Sequence, residues 1–267
     1  MIGQQKLLAM LDSYTIQNLP KALLLVGPSG CGKHTVAKYI AEKFGFDFVE
    51  IDTNVSADTL LDYTHKTINT LYLIDLNEFE EKRQNQFLKF IEEPSKTVYV
   101  VLISNSDVGI LNTIKNRCLK LYFEKYTKEE LQAITHESGL TYDIAYEIFQ
   151  TPGKLCSLTN TSFENLLALA DKAVNKLHLA TYGNTLLIAT KLNFKNNFDK
   201  IDPEMFLETV EFLAFDAIKN KKEIPFLFDT FEITNRYKQS INKKAIIKET
   251  LILNYLTELW EATHNAS

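Results

Sequence analysis

Cysteine is scarce in this chain and badly spaced for pairing or metal chemistry. Cys31, Cys118 and Cys156 lie far apart and form no C-x-x-C spacing, which argues against a disulfide framework and a zinc module. Five scattered histidines complete no ligand set either. Glycine (9) and proline (6) are few in 267 residues, and no internal repeat or low-complexity segment stands out. No run reaches the roughly 18 apolar residues of a membrane span, and the opening MIGQQKLLAMLDSY lacks a basic-then-apolar signal segment. The expectation is a soluble cytoplasmic protein with no membrane partner. An excess of positive charge is missing too. A formal net charge of −5 excludes a generally basic nucleic-acid coat and leaves room only for a local basic patch.

What is present is an ordinary globular composition, 45% hydrophobic and 24% charged, long enough to bury a real core in one large or two to three small domains. Residues 1–124 alternate strand and helix signals. Ala22 to Val26, Phe46 to Ile51, Leu71 to Ile74, Val98 to Ile103 and Leu119 to Phe123 are apolar, non-alternating runs of the kind buried inside parallel sheets. Lys33 to Phe44 has helical spacing through Val36, Ala37, Ile40 and Phe44. Glu80 to Ile91 is expected as one helix with Phe87, Leu88 and Ile91 on a single face, closed by Glu92-Glu93-Pro94. Strand-helix alternation with such strands predicts a parallel α/β sheet.

After Phe123 the pattern turns helical. Thr127-Lys128-Glu129-Glu130 is a capping box, and Thr151-Pro152-Gly153 breaks a helix. Asp202-Pro203-Glu204 supplies an N-cap, a first-turn proline and an acidic first turn, ahead of a stripe of Phe206, Val210, Leu213 and Ala217. Asn242 to Ala262 reads as a last amphipathic helix carrying Ile246, Ile247, Leu251, Leu253, Leu256 and Trp260. The expected division is an α/β domain over 1–124, a small helical domain over 125–160 and a helical C-terminal domain over 161–267.

Chemistry concentrates between Leu23 and Thr35, LLLVGPSGCGKHT. Gly27, Pro28, Ser29, Gly30, Cys31, Gly32 and Lys33 form a phosphate loop of the form G-x-x-x-x-G-K between a strand and a helix. Backbone N–H groups converge there on an anion at a helix N-terminus, and Lys33 adds charge. The next position should be Ser or Thr, whose hydroxyl holds magnesium; here it is His34. Thr35 does not replace it, since one helical step turns a side chain by about 100°. The partner strand should end in Asp-Glu, but Asp75 is followed by Leu76. Asn77 and Glu78 are displaced by two or three positions and are expected to point elsewhere. Asn105 follows the VYVVLI strand, a position to which only a family resemblance, and not the spacing, gives a polar sensor of the phosphate. The alternative for Asp75 and for Asn105 is a plain strand-end turn residue. Loss of both the magnesium hydroxyl and the water-activating carboxylate argues against hydrolysis by this loop.

Two further stretches resemble the clamp-loader branch of the AAA+ ATPases. Asn85-Gln86-Phe87-Leu88-Lys89-Phe90-Ile91-Glu92-Glu93-Pro94 is similar to that family's N-A-L-L-K-x-L-E-E-P helix, and Asn112-Thr113-Ile114-Lys115-Asn116-Arg117-Cys118 to its P-T-I-x-S-R-C element. Ile2-Gly3-Gln4, Leu19-Pro20-Lys21-Ala22 and Pro152-Gly153-Lys154-Leu155-Cys156-Ser157-Leu158 match as well, so the resemblance covers roughly residues 1–160. It implies a P-loop AAA+ domain, a lid and a collar for the three expected domains. Arg117 stands where the family carries an arginine finger directed at the neighbouring subunit's nucleotide, whereas the lid arginine is replaced by Gly153. A degraded own site with an intact finger is similar to the delta-prime subunit type of the bacterial DNA polymerase III loader. The implied partners are other clamp-loader subunits (motor and wrench), the sliding clamp and primer-template DNA. The implied cofactor is ATP or ADP at a degraded loop, with magnesium weak or absent and no zinc, in a subunit without meaningful ATPase of its own. Lys82, Arg83 and Lys89 lie around a helix that faces DNA in the family, with a plain solvated helix face as the alternative, and Cys118 is expected to pack in the core. Two other readings stay open: a working AAA+ ATPase with magnesium held through water by His34 and Asp75, and a non-loader interaction module on the same scaffold.

Overall fold

A computed structural model describes residues 2–264 apart from 53–54, 56–58, 60–61, 64–66, 80, 93, 137–138, 193–200, 223–225 and 242–246. The chain forms two compact units, one of residues 1–134 with 150–153, the other of 135–149 with 154–267.

The first unit is built on a five-stranded sheet, β1 (Ala22–Val26), β2 (Asp47–Glu50), β3 (Thr70–Asp75), β4 (Val98–Ser104) and β5 (Leu119–Tyr122), in the order β2-β3-β4-β1-β5. Each neighbouring pair is parallel. Three of the apolar runs become central strands with both faces covered, every residue of β1 and β4 being buried, while those expected at Phe46–Ile51 and Leu119–Phe123 form the partly exposed edge strands β2 and β5. Alternate residues point to opposite sides. Leu23, Leu25, Leu71, Leu73, Val101 and Ile103 meet Leu7 and Leu11 of helix α1 (Gln5–Asp12) and Val36, Ala37 and Ile40 of α2 (Lys33–Phe44). Leu24, Val26, Tyr72, Ile74, Val100 and Leu102 pack on the other side with Phe87, Phe90 and Ile91. Each such buried aliphatic or aromatic side chain contributes roughly 1.5–3 kcal/mol of transfer free energy.

The helix expected over 80–91 is present over residues 81–92 as α3 (Glu81–Gln84), a one-turn 3-10 stretch at Asn85–Phe87 and α4 (Leu88–Glu92), with residue 80 outside the described set. A buried amide ties this helix to the chain after β4. Gln84, only 3% exposed, donates to the Gly109 carbonyl (2.9 Å) and accepts from the Leu111 N–H (3.1 Å). Of the expected face, Phe87 and Ile91 are buried and Leu88 half-buried, with Phe90 joining them. Downstream, α5 (Asn112–Lys115) leads into β5, and α6 (Lys128–Thr135) opens on the expected capping box. Thr127 N–H donates to the Glu130 carboxylate at 2.9 Å, and Glu130 N–H to the Thr127 hydroxyl at 3.2 Å.

The second unit is helical: α7 (Asp143–Ile148), most of α8 (Pro152–Cys156), α9 (Asn160–Asp171), α10 (Tyr182–Leu186), α11 (Pro203–Lys219), α12 (Leu227–Lys238) and α13 (Lys248–His264). Asp202 caps α11 through bonds from the Glu204 and Met205 N–H groups at 2.9 and 3.0 Å. Phe206, Val210 and Ala217 are buried there, Leu213 half-buried. Lys154 is tied to both Glu204 and Glu208 at 2.8 Å, with all three side chains less than a quarter exposed. The last helix departs from its expected stripe. Residues 242–246, Ile246 among them, lie outside the described set, and Ile247 and Leu253 are exposed. Ile252, Tyr255, Leu256 and Leu259 make the buried face. Tyr255, whose hydroxyl pairs with Thr234 at 3.0 Å, and Trp260, whose indole donates to the Ala180 carbonyl at 3.0 Å, fix that rotation. Among the described residues, no helix is long and apolar enough to cross a membrane.

Candidate functional site at the end of β1

The phosphate loop leaves β1 where the strand order changes direction, β1 lying between β4 and β5, the place where open α/β sheets form a crevice. Gly27 is held in register by its N–H bond to the Ser104 carbonyl (3.1 Å). A side chain there would meet the Phe123 Cβ at 2.7 Å and the Cys31 sulfur at 2.8 Å, so glycine is required by close approach. Gly32 has φ +98° and forms the N-cap of α2, a conformation other residues rarely adopt. Pro28, Ser29, Gly30, His34 and Thr35 are exposed, while Cys31 and Lys33 are buried. The Cys31 carbonyl accepts from the Tyr126 hydroxyl at 2.9 Å. The Gln4 amide brackets the Glu124 backbone with bonds of 2.8 and 2.9 Å just upstream. The opening Gly3-Gln4 is therefore part of the loop's support.

Lys33 does not reach outward. Its ammonium donates to the Gly27 carbonyl (2.6 Å), the Pro28 carbonyl (2.9 Å) and the Asn105 side-chain oxygen (3.0 Å), which accounts for its three N–H groups. Burial holds its pKa below the ordinary lysine range, opposed by the nearby Cys31 thiol and the Asp75 carboxylate. Asp75 caps the turn Leu76–Glu78 by accepting from the Asn77 N–H (2.9 Å) and the Asn77 amide (2.6 Å). The Asn77 oxygen then accepts from the Asn105 N–H at 2.8 Å. Asn77 was expected to point away. The turn that ends β3 swings it back, making it the link between Asp75, Asn105 and Lys33. A strand-alternation argument fails there because the strand stops at Asp75.

Gly153, standing where the resemblance places a lid arginine, sits against the loop. Its N–H donates to the Gly30 carbonyl at 2.9 Å, and a Cβ at 153 would lie 2.7 Å from the Gly30 Cα. Only a residue without a side chain fits that seat.

Arg117 lies at the other end of the sheet. It stands two residues before the start of β5, whose Leu119 pairs with Leu23 near the start of β1, whereas the phosphate loop follows the end of β1. The length of β1 alone separates the two ends by about 13 Å. The guanidinium Nε pairs with the Glu92 carboxylate at 2.7 Å and Nη1 donates to the Thr113 carbonyl at 2.9 Å. Its side chain is 39% exposed. Cys118 packs against the sheet core, and burial pushes its thiol up to about 12. Cys156 is exposed. Among the described residues no group of His, Cys, Asp and Glu is placed to hold a metal ion. Of the basic residues expected on the 80–91 segment, Lys89 is exposed and Arg83 lies over the Phe79 ring at 5.4 Å, while the Lys82 side chain is outside the described set.

Comparison with known proteins agrees with this architecture. Residues 62–127 match the family described as DNA polymerase III, delta subunit. The replication factor C large subunit of Thermococcus kodakarensis is 24% identical over 170 residues, 55% of this chain and 34% of that protein. The chain thus spans about a third of the length of that relative. The crystal structure of a DNA polymerase III gamma subunit-related protein from Thermotoga maritima superposes with a TM-score of 0.51 at 17% identity, covering 97% of this chain and 99% of that one. The last likeness is one of fold.

Proposed function

We propose that this chain, a clamp-loader-like member of the AAA+ proteins, serves DNA replication as a delta-prime-like stator. In this reading it belongs to an ATP-driven complex that places a sliding clamp on primed DNA. It assembles with motor and wrench subunits, and lends Arg117 to a motor subunit's nucleotide. The observation that carries the reading is the position of Arg117. It sits half-exposed at the end of the sheet remote from the chain's own phosphate loop, so it is out of reach of Lys33 and free to serve a nucleotide held by another subunit. A guanidinium offered in trans supplies about 10³–10⁵ in rate by stabilising charge during phosphoryl transfer.

The residues of the chain's own loop do not fit a nucleotide with magnesium. Magnesium prefers oxygen ligands, whereas position 34 offers an imidazole and Asp75 is engaged by Asn77. Lys33 would have to give up three bonds, and Gly153 seals Gly30. ATP or ADP at this loop is accordingly weak, magnesium weak or absent, and no zinc is required.

The test is the Arg117→Ala variant in a loader reassembled with its motor subunits. Assembly should persist while DNA-dependent ATP hydrolysis falls by about 10³ or more; undiminished hydrolysis refutes the finger. Turnover by the isolated chain, abolished by Lys33→Ala, would favour a working ATPase instead. Failure to associate with any loader subunit would favour an interaction module.

A further inference from the structure

An arginine has five N–H donors, and which of them are occupied decides what it can still bind. At Arg117 the Glu92 carboxylate takes Nε, and the Thr113 carbonyl takes one hydrogen of Nη1. Three N–H groups, the second on Nη1 and both on Nη2, have no partner among the described residues. The guanidinium is thus gripped along its rear edge while its forward edge is open. A carboxylate bound across both terminal nitrogens would have consumed the fork that matches a phosphate.

The grip is itself fixed. Glu92 closes α4, and Thr113 belongs to α5. The buried Gln84 amide fastens the loop before α5 at Gly109 and Leu111 from the same 81–92 segment. One stretch of chain therefore supplies the carboxylate and secures the backbone that carries the second acceptor. We infer that Glu92 is the positioning residue for Arg117, orienting the guanidinium so that its terminal nitrogens face a neighbouring subunit's phosphate. The inference rests on the arginine-finger reading above and adds a second residue to it.

Both partners are over a third exposed, at 39% and 38%, so the pair holds the side chain without burying it. Exposed pairs are weak, which limits the effect of losing one to about a two- to fivefold change in rate. The experiment compares Glu92→Ala, Glu92→Gln, Arg117→Ala and the Glu92→Ala/Arg117→Ala double variant in the loader assembled with the motor subunits that co-purify with this chain. Melting temperatures check that each variant folds. Glu92→Ala should lower kcat for DNA-dependent ATP hydrolysis about two- to fivefold with KM for ATP unchanged. Glu92→Gln, which keeps an oxygen acceptor for Nε, should restore most of that loss. The double variant should be no slower than Arg117→Ala, because a positioner has nothing left to position. If Glu92→Ala leaves kcat unchanged or raises it while Arg117→Ala remains crippled, the positioning role is overturned and the finger stands. If Arg117→Ala has no effect, both are overturned.

Discussion

Gly153→Ala probes the seat of the phosphate loop with a single methyl group. The added Cβ would lie 2.7 Å from the Gly30 Cα and 3.0 Å from its carbonyl oxygen, both backbone atoms that cannot rotate aside. Relieving that overlap means separating the two segments, which stretches the Gly153 N–H bond to Gly30, now 2.9 Å. Overpacking of this kind costs about 1–3 kcal/mol, and a lost hydrogen bond about 0.5–1.5 kcal/mol. Alanine's better helix propensity returns up to about 1 kcal/mol. The net expectation is a loss near 2 kcal/mol. Gly183→Ala is the matched control. Gly183, like Gly153, is the second residue of a five-residue helix, but a Cβ there meets nothing within 4 Å. It should gain about 0.5–1 kcal/mol instead. In calorimetry at neutral pH, Gly153→Ala should melt about 4–8 °C below the parent chain, and Gly183→Ala at or above it. Equal melting temperatures for the two variants would refute the close approach of residues 30 and 153, and with it the argument that position 153 excludes an arginine.

Other outcomes follow from the same kind of accounting. Tyr72→Phe should leave stability unchanged or raise it by about 1 kcal/mol, because the buried Tyr72 hydroxyl has no hydrogen-bond partner among the described residues; urea unfolding of the pair measures this. Burial, then the neighbouring Tyr63, pushes the Tyr72 phenol up to about 12 from its ordinary 10.0. A raised folded pKa contributes stability that is present below pH 10 and lost as pH climbs towards 12, so Tyr72→Phe should lose less stability than the parent over that window. Lys154→Met should destabilise the helical unit by about 3 kcal/mol, since it strands the Glu204 and Glu208 carboxylates in a largely enclosed site. Burial already holds the Glu208 carboxyl above the usual glutamate range, with Lys154 opposing it, so that variant should recover stability as pH falls and Glu208 is protonated. A flat pH response would count against the pair.

The centre of the sheet was legible because β1, β3 and β4 are apolar runs covered on both faces, whereas the edge strands β2 and β5 are short and partly exposed. Lys33–Phe44 was legible from its spacing, and α6 and α11 from caps made by residues at most three positions away. What escaped notice depends on partners distant in sequence. Gln84 binds residues 25 and 27 positions further on, a tie that local periodicity does not announce. Asn77 reaches Asn105 across 28 positions. The rotation of α13 is set by Thr234 and Ala180, in other helices or their connections. The phosphate loop could be read from its glycines and lysine. That the lysine turns back on its own carbonyls could not, because nothing in the motif encodes where an ammonium points.

The three thiols differ sharply in access: Cys31 is enclosed in the loop, Cys118 is packed on the sheet with its proton held to about 12, and Cys156 alone is open to solvent. The native chain therefore comes with a natural attachment point for a maleimide dye at the end of α8. A fluorophore placed there would label the helical unit at one position, without a single engineered substitution.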